Sequence, residues 1–129
     1  MTDTPLDLMR AAFDSAVHAV AAEECVRTHL PAPPQGRTLV IGAGKAAAAM
    51  ALEVEANWPA DAPLDGLVIT RYGHGAPTTH IQVVEAEHPL PDASGEEAAR
   101  RIRDIASSAG PDDLVLCLLS GGGSSLMAM

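Results

Sequence analysis

The chain has 129 residues, 47% hydrophobic, 19% charged and only 2% aromatic, with a formal charge of −9 from 17 acids and 8 bases. That is enough for one folded domain with a core of Ala, Val, Leu and Ile, and it argues against disorder. The acidic balance also argues against nucleic acid and anionic membranes as partners, so an anionic ligand must be met by a local cation.

Thr4-Pro5 with Asp7 reads as a helix start, with proline at the first helical position and an acid in the first turn. Leu6, Met9, Phe13, Val17 and Val20 then recur at helical spacing, which predicts one amphipathic helix ending near His29, before the Pro31–Pro34 cluster. Asp3 and Asp7 stand where a secretory leader would carry basic residues, and no run reaches the about 18 apolar residues of a membrane span, so a cytoplasmic protein is expected. Cys25 and Cys117 form no CxxC and have no zinc spacing with the histidines; Cys117, inside an apolar run, reads as a small core residue.

Residues 37–41 are expected to form the first strand, running into Gly42-Ala43-Gly44-Lys45 and a helix over 45–57. Lys45 is the only lysine against seven arginines. Codon bias explains why lysine is rare, but not why the one lysine sits in a glycine turn. Three readings of the turn compete. A Walker A loop fails, because Leu39 stands where its first glycine belongs and Ala46 follows the lysine. A dinucleotide fingerprint is nominally met by Gly42, Gly44 and Ala47, but the second strand ends Thr70-Arg71-Tyr72, without the acid that holds a ribose of NAD. The third and preferred reading is an anion site, built from helix N–H groups and the Lys45 ammonium.

A second strand is expected over 65–71 and a third over 81–86. Only nine residues, Tyr72 to His80, join them, which is short for a covered parallel crossover, so this pair is antiparallel or linked by an irregular arm. His88-Pro89-Leu90-Pro91-Asp92 follows the third strand. An imidazole and a carboxylate there suit the orienting of a substrate hydroxyl, although Asp92 reads better as a helix cap. Ser94 with Glu97 has the form of a capping box for a helix running to Gly110-Pro111. Leu114–Leu119 is an unbroken apolar run, as in a strand buried on both faces. The alternation predicts an α/β fold, Rossmann-like, with a mostly parallel sheet and flanking helices.

Ser120-Gly121-Gly122-Gly123-Ser124 follows that strand. Three glycines between two serines expose several N–H groups to an oxyanion cluster. If the first and fourth strands are neighbours, both glycine loops flank one crevice at the carboxyl edge of the sheet. A buried strand and glycine loop with only Ser125–Met129 after them look like the front of a longer protein.

The blocks Val40–Ala46, Val68–His74, His88–Asp92 and Leu118–Ser124, in this order and spacing, resemble the class II glycerate kinases, the glycerate 2-kinase family whose second domain is called MOFRL. The resemblance spans nearly the whole chain. It implies transfer of the γ-phosphoryl group of ATP to the 2-hydroxyl of D-glycerate with Mg²⁺, in a cleft between this Rossmann-like domain (1–129) and a MOFRL-type domain absent from the chain. Lys45 matches the lysine implicated in catalysis, and an arginine from the other domain assists. Gly42, Gly44, His88, Ser120, Gly121, Gly122, Gly123 and Ser124 are the expected substrate- or phosphate-binding residues. The isolated fragment is expected to be inactive, and a homodimer is compatible with the sequence. Glu87 stands where many relatives have glycine. Two other readings stay open: a sugar-phosphate-binding module like the sugar isomerase domain, and an NADP-dependent hydroxypyruvate reductase.

Overall fold

The computed structural model describes residues 4–129; Asp3 lies outside them. Four strands, β1 (Thr38–Ala43), β2 (Leu64–Arg71), β3 (Ile81–Ala86) and β4 (Leu114–Leu119), form one sheet in the order β3-β2-β1-β4. Every pairing is parallel. Helices α2 (Ala22–His29) and α3 (Ala47–Asn57) pack on one face, and α4 (Ala93–Ser107) with the short α5 (Gly123–Leu126) on the other. This is the expected α/β, Rossmann-like arrangement.

The strand pleat sorts the core into two layers. Val40, Val68, Ile81 and Leu118 face Val26 of α2 and Ala47, Ala51 and Val54 of α3. Ala43, Leu67, Ile69 and Ala86 face Ala98, Ala99 and Ile102 of α4 and Leu126 of α5. The alanines of α3 let the helix lie close on the sheet. Trp58, the only tryptophan, closes the first layer at 8% exposure. Its Nε1 and the Thr38 hydroxyl are buried without a hydrogen-bond partner among the described residues.

The expected single first helix is two. α1 (Pro5–Ala19) starts as predicted, with Thr4 and Asp7 in a reciprocal capping box. It stops at Val20, and Ala21 is extended before α2 begins. No glycine or proline marks this break. It is tertiary in origin: α2 turns so that Val26 packs into the core, while Leu6, Met9, Phe13 and Val17 of α1 stay exposed.

The link between β2 and β3 is the irregular arm, and the pair is parallel. A nine-residue arm reaches roughly 30 Å when extended, against about 20 Å for a six-residue strand, so no helix is needed to return the chain. Two carboxylates hold the arm. Glu85 accepts the N–H groups of Gly73 (2.7 Å) and Gly75 (3.3 Å) near its start. Glu55 of α3 accepts those of Thr79, His80 and Ile81 at 2.7, 2.6 and 2.6 Å near its end.

Burial alone would raise the Glu55 pKa, but those three N–H bonds outweigh it and hold the carboxyl below its ordinary value of 4.5. The depressed pKa has a definite sign: its stabilisation is complete above pH 4.5 and is lost as the pH falls through the lowered value. Glu55→Gln is therefore expected to cost about 2 kcal/mol at pH 7, the worth of hydrogen bonds to a charged acceptor, and to flatten the acid limb of the stability curve. Urea unfolding at pH 7 and pH 3 measures both; equal stability of the two proteins at pH 7 would show that the arm does not depend on this carboxylate.

Two further expectations need correction. β4 is an edge strand, covered on one face only: Leu118 is buried, while Val115, Cys117 and Leu119 are exposed where α4 does not extend over the sheet. Cys117 is therefore not a core residue. The cap of α4 is Asp92, which accepts the Gly95 N–H at 2.9 Å, and not a Ser94–Glu97 box, because the helix already begins at Ala93.

Candidate functional site

Because the sheet is parallel, the turns after all four strands lie at its carboxyl edge. β1 and β4 are adjacent, with Ala43 opposite Leu119, so the turns that follow them meet. The Ser120 N–H donates to the Ala43 carbonyl (3.2 Å), and the Ala46 N–H donates to Ser120 Oγ (3.0 Å). Ser120 thus caps α3 from the neighbouring strand, at a helix start where Ala46 offers no side-chain acceptor of its own.

Close approach explains three glycines. A Cβ on Gly42 would overlap the Leu118 carbonyl, one on Gly44 would overlap Ser120 Oγ, and one on Gly123 would stand 2.8 Å from the Ala43 carbonyl. Gly44 and Gly122 also have φ of 133° and 84°, in the left-handed region that favours glycine. The two loops are interlocked.

The arrangement leaves donors free. The Gly44 N–H is taken by Ile69 O and the Ala47 N–H by Gly44 O. No acceptor among the described residues takes the main-chain N–H of Lys45, Gly121 or Gly122. Lys45 and Gly121 are exposed, and no carboxylate among the described residues pairs with the Lys45 side chain. Unclaimed N–H groups on two touching loops, beside an unpaired ammonium, suit an oxyanion.

His88 joins them from the β3–α4 loop: its Nε2 occupies the space a Cβ on Gly122 would need. The His88–Pro89 peptide is cis. Ser124 is exposed on the first turn of α5. The structure thus sets Gly44 against Ser120 and His88 against Gly122, packs Gly42 on Leu118 and Gly123 on Ala43, and carries Lys45 and Gly121 on the same two loops. Asp92 serves α4 instead. Its carboxyl is held below the usual range, first by the Gly95 N–H and also by the Tyr72 hydroxyl. His74 is exposed, with its N–H on the Arg71 carbonyl.

Two roles were missed in the sequence. Ser120 is a helix cap as well as a loop residue, and Thr70, buried at the end of β2, donates to the Lys45 carbonyl (3.4 Å). Both bridge strands distant in sequence, so no local spacing announces them. No group of three or more His, Cys, Asp or Glu among the described residues could hold a metal ion. Cavities of about 480 and 630 Å³ open elsewhere, the first lined by Trp58, Pro59 and Asp61 and the second by Thr78, Gln82 and Arg101. The glycine loops form an open wall.

Fold and loops define a parallel α/β domain whose carboxyl edge carries two interlocked glycine loops. The chain belongs to the DUF4147 family, whose model, described as a domain of unknown function, matches residues 8–129. A relative from Agrobacterium vitis with the provisional name hydroxypyruvate reductase is 49% identical over 120 residues, covering 93% of this chain and 27% of the relative. The D-glycerate 2-kinase of Thermotoga maritima is 34% identical over 115 residues, covering 88% of this chain and 27% of that protein. A crystal structure of glycerate kinase from Thermotoga maritima superposes with a TM-score of 0.80 at 33% identity, over 95% of this chain and 30% of that one. Sequence and structure thus match the glycerate-kinase-like family and fold, and the chain spans between a quarter and a third of these proteins' length.

Proposed function

We propose that the chain forms one wall of the active-site cleft of an ATP-dependent glycerate 2-kinase, a cytoplasmic enzyme whose other wall is a MOFRL-type domain. The observation that supports this reading is that two touching glycine loops leave the N–H groups of Lys45, Gly121 and Gly122 without an acceptor among the described residues, with the exposed Lys45 side chain carried on one of those loops. Phosphoryl transfer asks a protein mainly for positioning and for stabilisation of charge on oxygen. The Gly121 and Gly122 N–H groups hold phosphate or carboxylate oxygens, and Lys45 neutralises the glycerate carboxylate or the moving phosphoryl group. ATP supplies that phosphoryl group. Mg²⁺ binding usually needs only one or two carboxylates beside substrate phosphates, so the lack of a three-ligand cluster among the described residues suits an ion carried on the nucleotide.

The name of the Agrobacterium vitis relative favours a second reading, reduction of hydroxypyruvate. The end of β2 speaks against NAD, since Thr70-Arg71-Tyr72 has no acid for a ribose hydroxyl; Arg71 leaves NADP open. One assay separates the two. A protein carrying both domains is supplied with Mg·ATP and D-glycerate, or with NADPH and hydroxypyruvate. Formation of 2-phosphoglycerate is expected; oxidation of NADPH without ATP consumption would replace the kinase reading. Binding of phosphosugars without ATP hydrolysis would favour the sugar-isomerase-like module.

In the chain alone, inorganic triphosphate is expected to shift the amide resonances of Lys45, Gly121 and Gly122 without turnover. Shifts confined to other residues would move the anion site elsewhere.

A further inference from the structure

Tyr72, the only tyrosine, follows β2 and is half exposed. Its main-chain N–H donates to the Ala86 carbonyl (3.2 Å), and its hydroxyl donates to Asp92 Oδ2 (3.1 Å). Ala86 and Asp92 are the two ends of the loop 87–91. One residue therefore grips both feet of that loop. The far foot is doubly fixed, since the other Asp92 oxygen takes the Gly95 N–H at the start of α4. Tyr72 is itself held: the next residue, Gly73, has φ of 80° and gives its N–H to Glu85 on β3.

His88 lies between the two feet, with its Nε2 against Gly122. No hydrogen bond fixes the imidazole among the described residues, so its place depends on where the loop is held. A phenol gripping Asp92 limits how far the loop can swing from the glycine turn. The bland alternative is a surface hydrogen bond that only adds a little stability.

We infer that Tyr72 is a positioning residue: by holding both ends of the 87–91 loop it sets the His88 ring against Gly122 on the anion-receiving turn. Its functional weight rests on the phosphate reading of that turn given above.

Tyr72→Phe removes one oxygen from an exposed ring and leaves the main-chain grip on Ala86. In the labelled chain it is expected to move the His88 ring and Gly122 amide resonances, while the unfolding temperature falls by less than about 4 °C. Asp92→Asn keeps an oxygen for the Gly95 N–H and is expected to move the same resonances by less. Affinity for inorganic triphosphate should fall about fivefold in Tyr72→Phe, and the double variant with His88→Asn should bind no more weakly than His88→Asn alone. A merely structural tether would leave the His88 and Gly122 signals in place, and that result, or additive losses in the double variant, overturns the inference. If the unaltered chain binds no triphosphate, the phosphate reading of the turn fails, and the resonance comparison still decides the role of Tyr72.

Discussion

Replacing Lys45 with alanine, in a protein that carries both domains, is expected to lower turnover of D-glycerate about a hundredfold or more with folding unchanged. The side chain is exposed and pairs with no carboxylate among the described residues, so the fold gains nothing from its charge. What the fold uses at this position is the carbonyl, which accepts from Thr70 and survives the substitution. A preorganised donor aimed at developing charge in a water-excluded site contributes on the order of 3 kcal/mol to the transition state, which sets the size of the loss. The overall charge of −9 sharpens the effect, since without Lys45 an anionic substrate meets an acidic surface with no local cation on these loops. Steady-state kinetics beside thermal unfolding tests the prediction. A rate within a few-fold of the parent would remove Lys45 from the chemistry.

Gly44→Ala is expected to have a large effect on the fold. A side chain there faces two separate costs. The φ of 133° is a conformation alanine rarely adopts, and the new Cβ would overlap Ser120 Oγ and stand 2.7 Å from the Ser120 carbonyl. Backbone strain of about 1–2 kcal/mol and overpacking of similar size together predict a loss of about 3 kcal/mol. The neighbour cannot yield cheaply, because moving Ser120 breaks its bond to the Ala46 N–H and uncaps α3. Gly121→Ala is the control, since a Cβ there meets nothing within 4 Å. Its stability should match the parent within about 0.5 kcal/mol. Urea unfolding of the three proteins provides the comparison; a Gly44→Ala protein as stable as the control would mean the loops are not interlocked.

Much of the fold was legible because it is written in local periodicity. Each strand is a short apolar run and two of the helices, α1 and α4, carry their own start signals, so the α/β alternation and the placing of both glycine loops at strand ends could be read directly. The parts that resisted are those where residues far apart decide the outcome. The parallel return from β2 to β3 depends on Glu55 and Glu85 binding main-chain N–H groups of the arm, and an isolated glutamate in a helix or strand gives no sign of that task. The break at Val20 has no breaker residue; Val26 reaching the core decides it. The unbroken apolar run of β4 suggested cover on both faces, but hydrophobicity shows what a strand can bury and not what is present to bury it. At the site, the residue types and the neighbouring of the loops could be foreseen. The cap from Ser120 to α3 and the grip of Tyr72 on Asp92 could not, because both cross between elements.

Trp58 gives the molecule a built-in optical probe. It is the sole indole, it is packed with Val26 and Val54, and it precedes β2, so it sits toward the amino end of the sheet, opposite the glycine turns. Its emission therefore reports on the integrity of the α2–α3 layer from the end of the sheet opposite the glycine turns. Stability and ligand occupancy can thus be followed as separate signals in one cuvette, fluorescence for the first and chemical shift or calorimetry for the second.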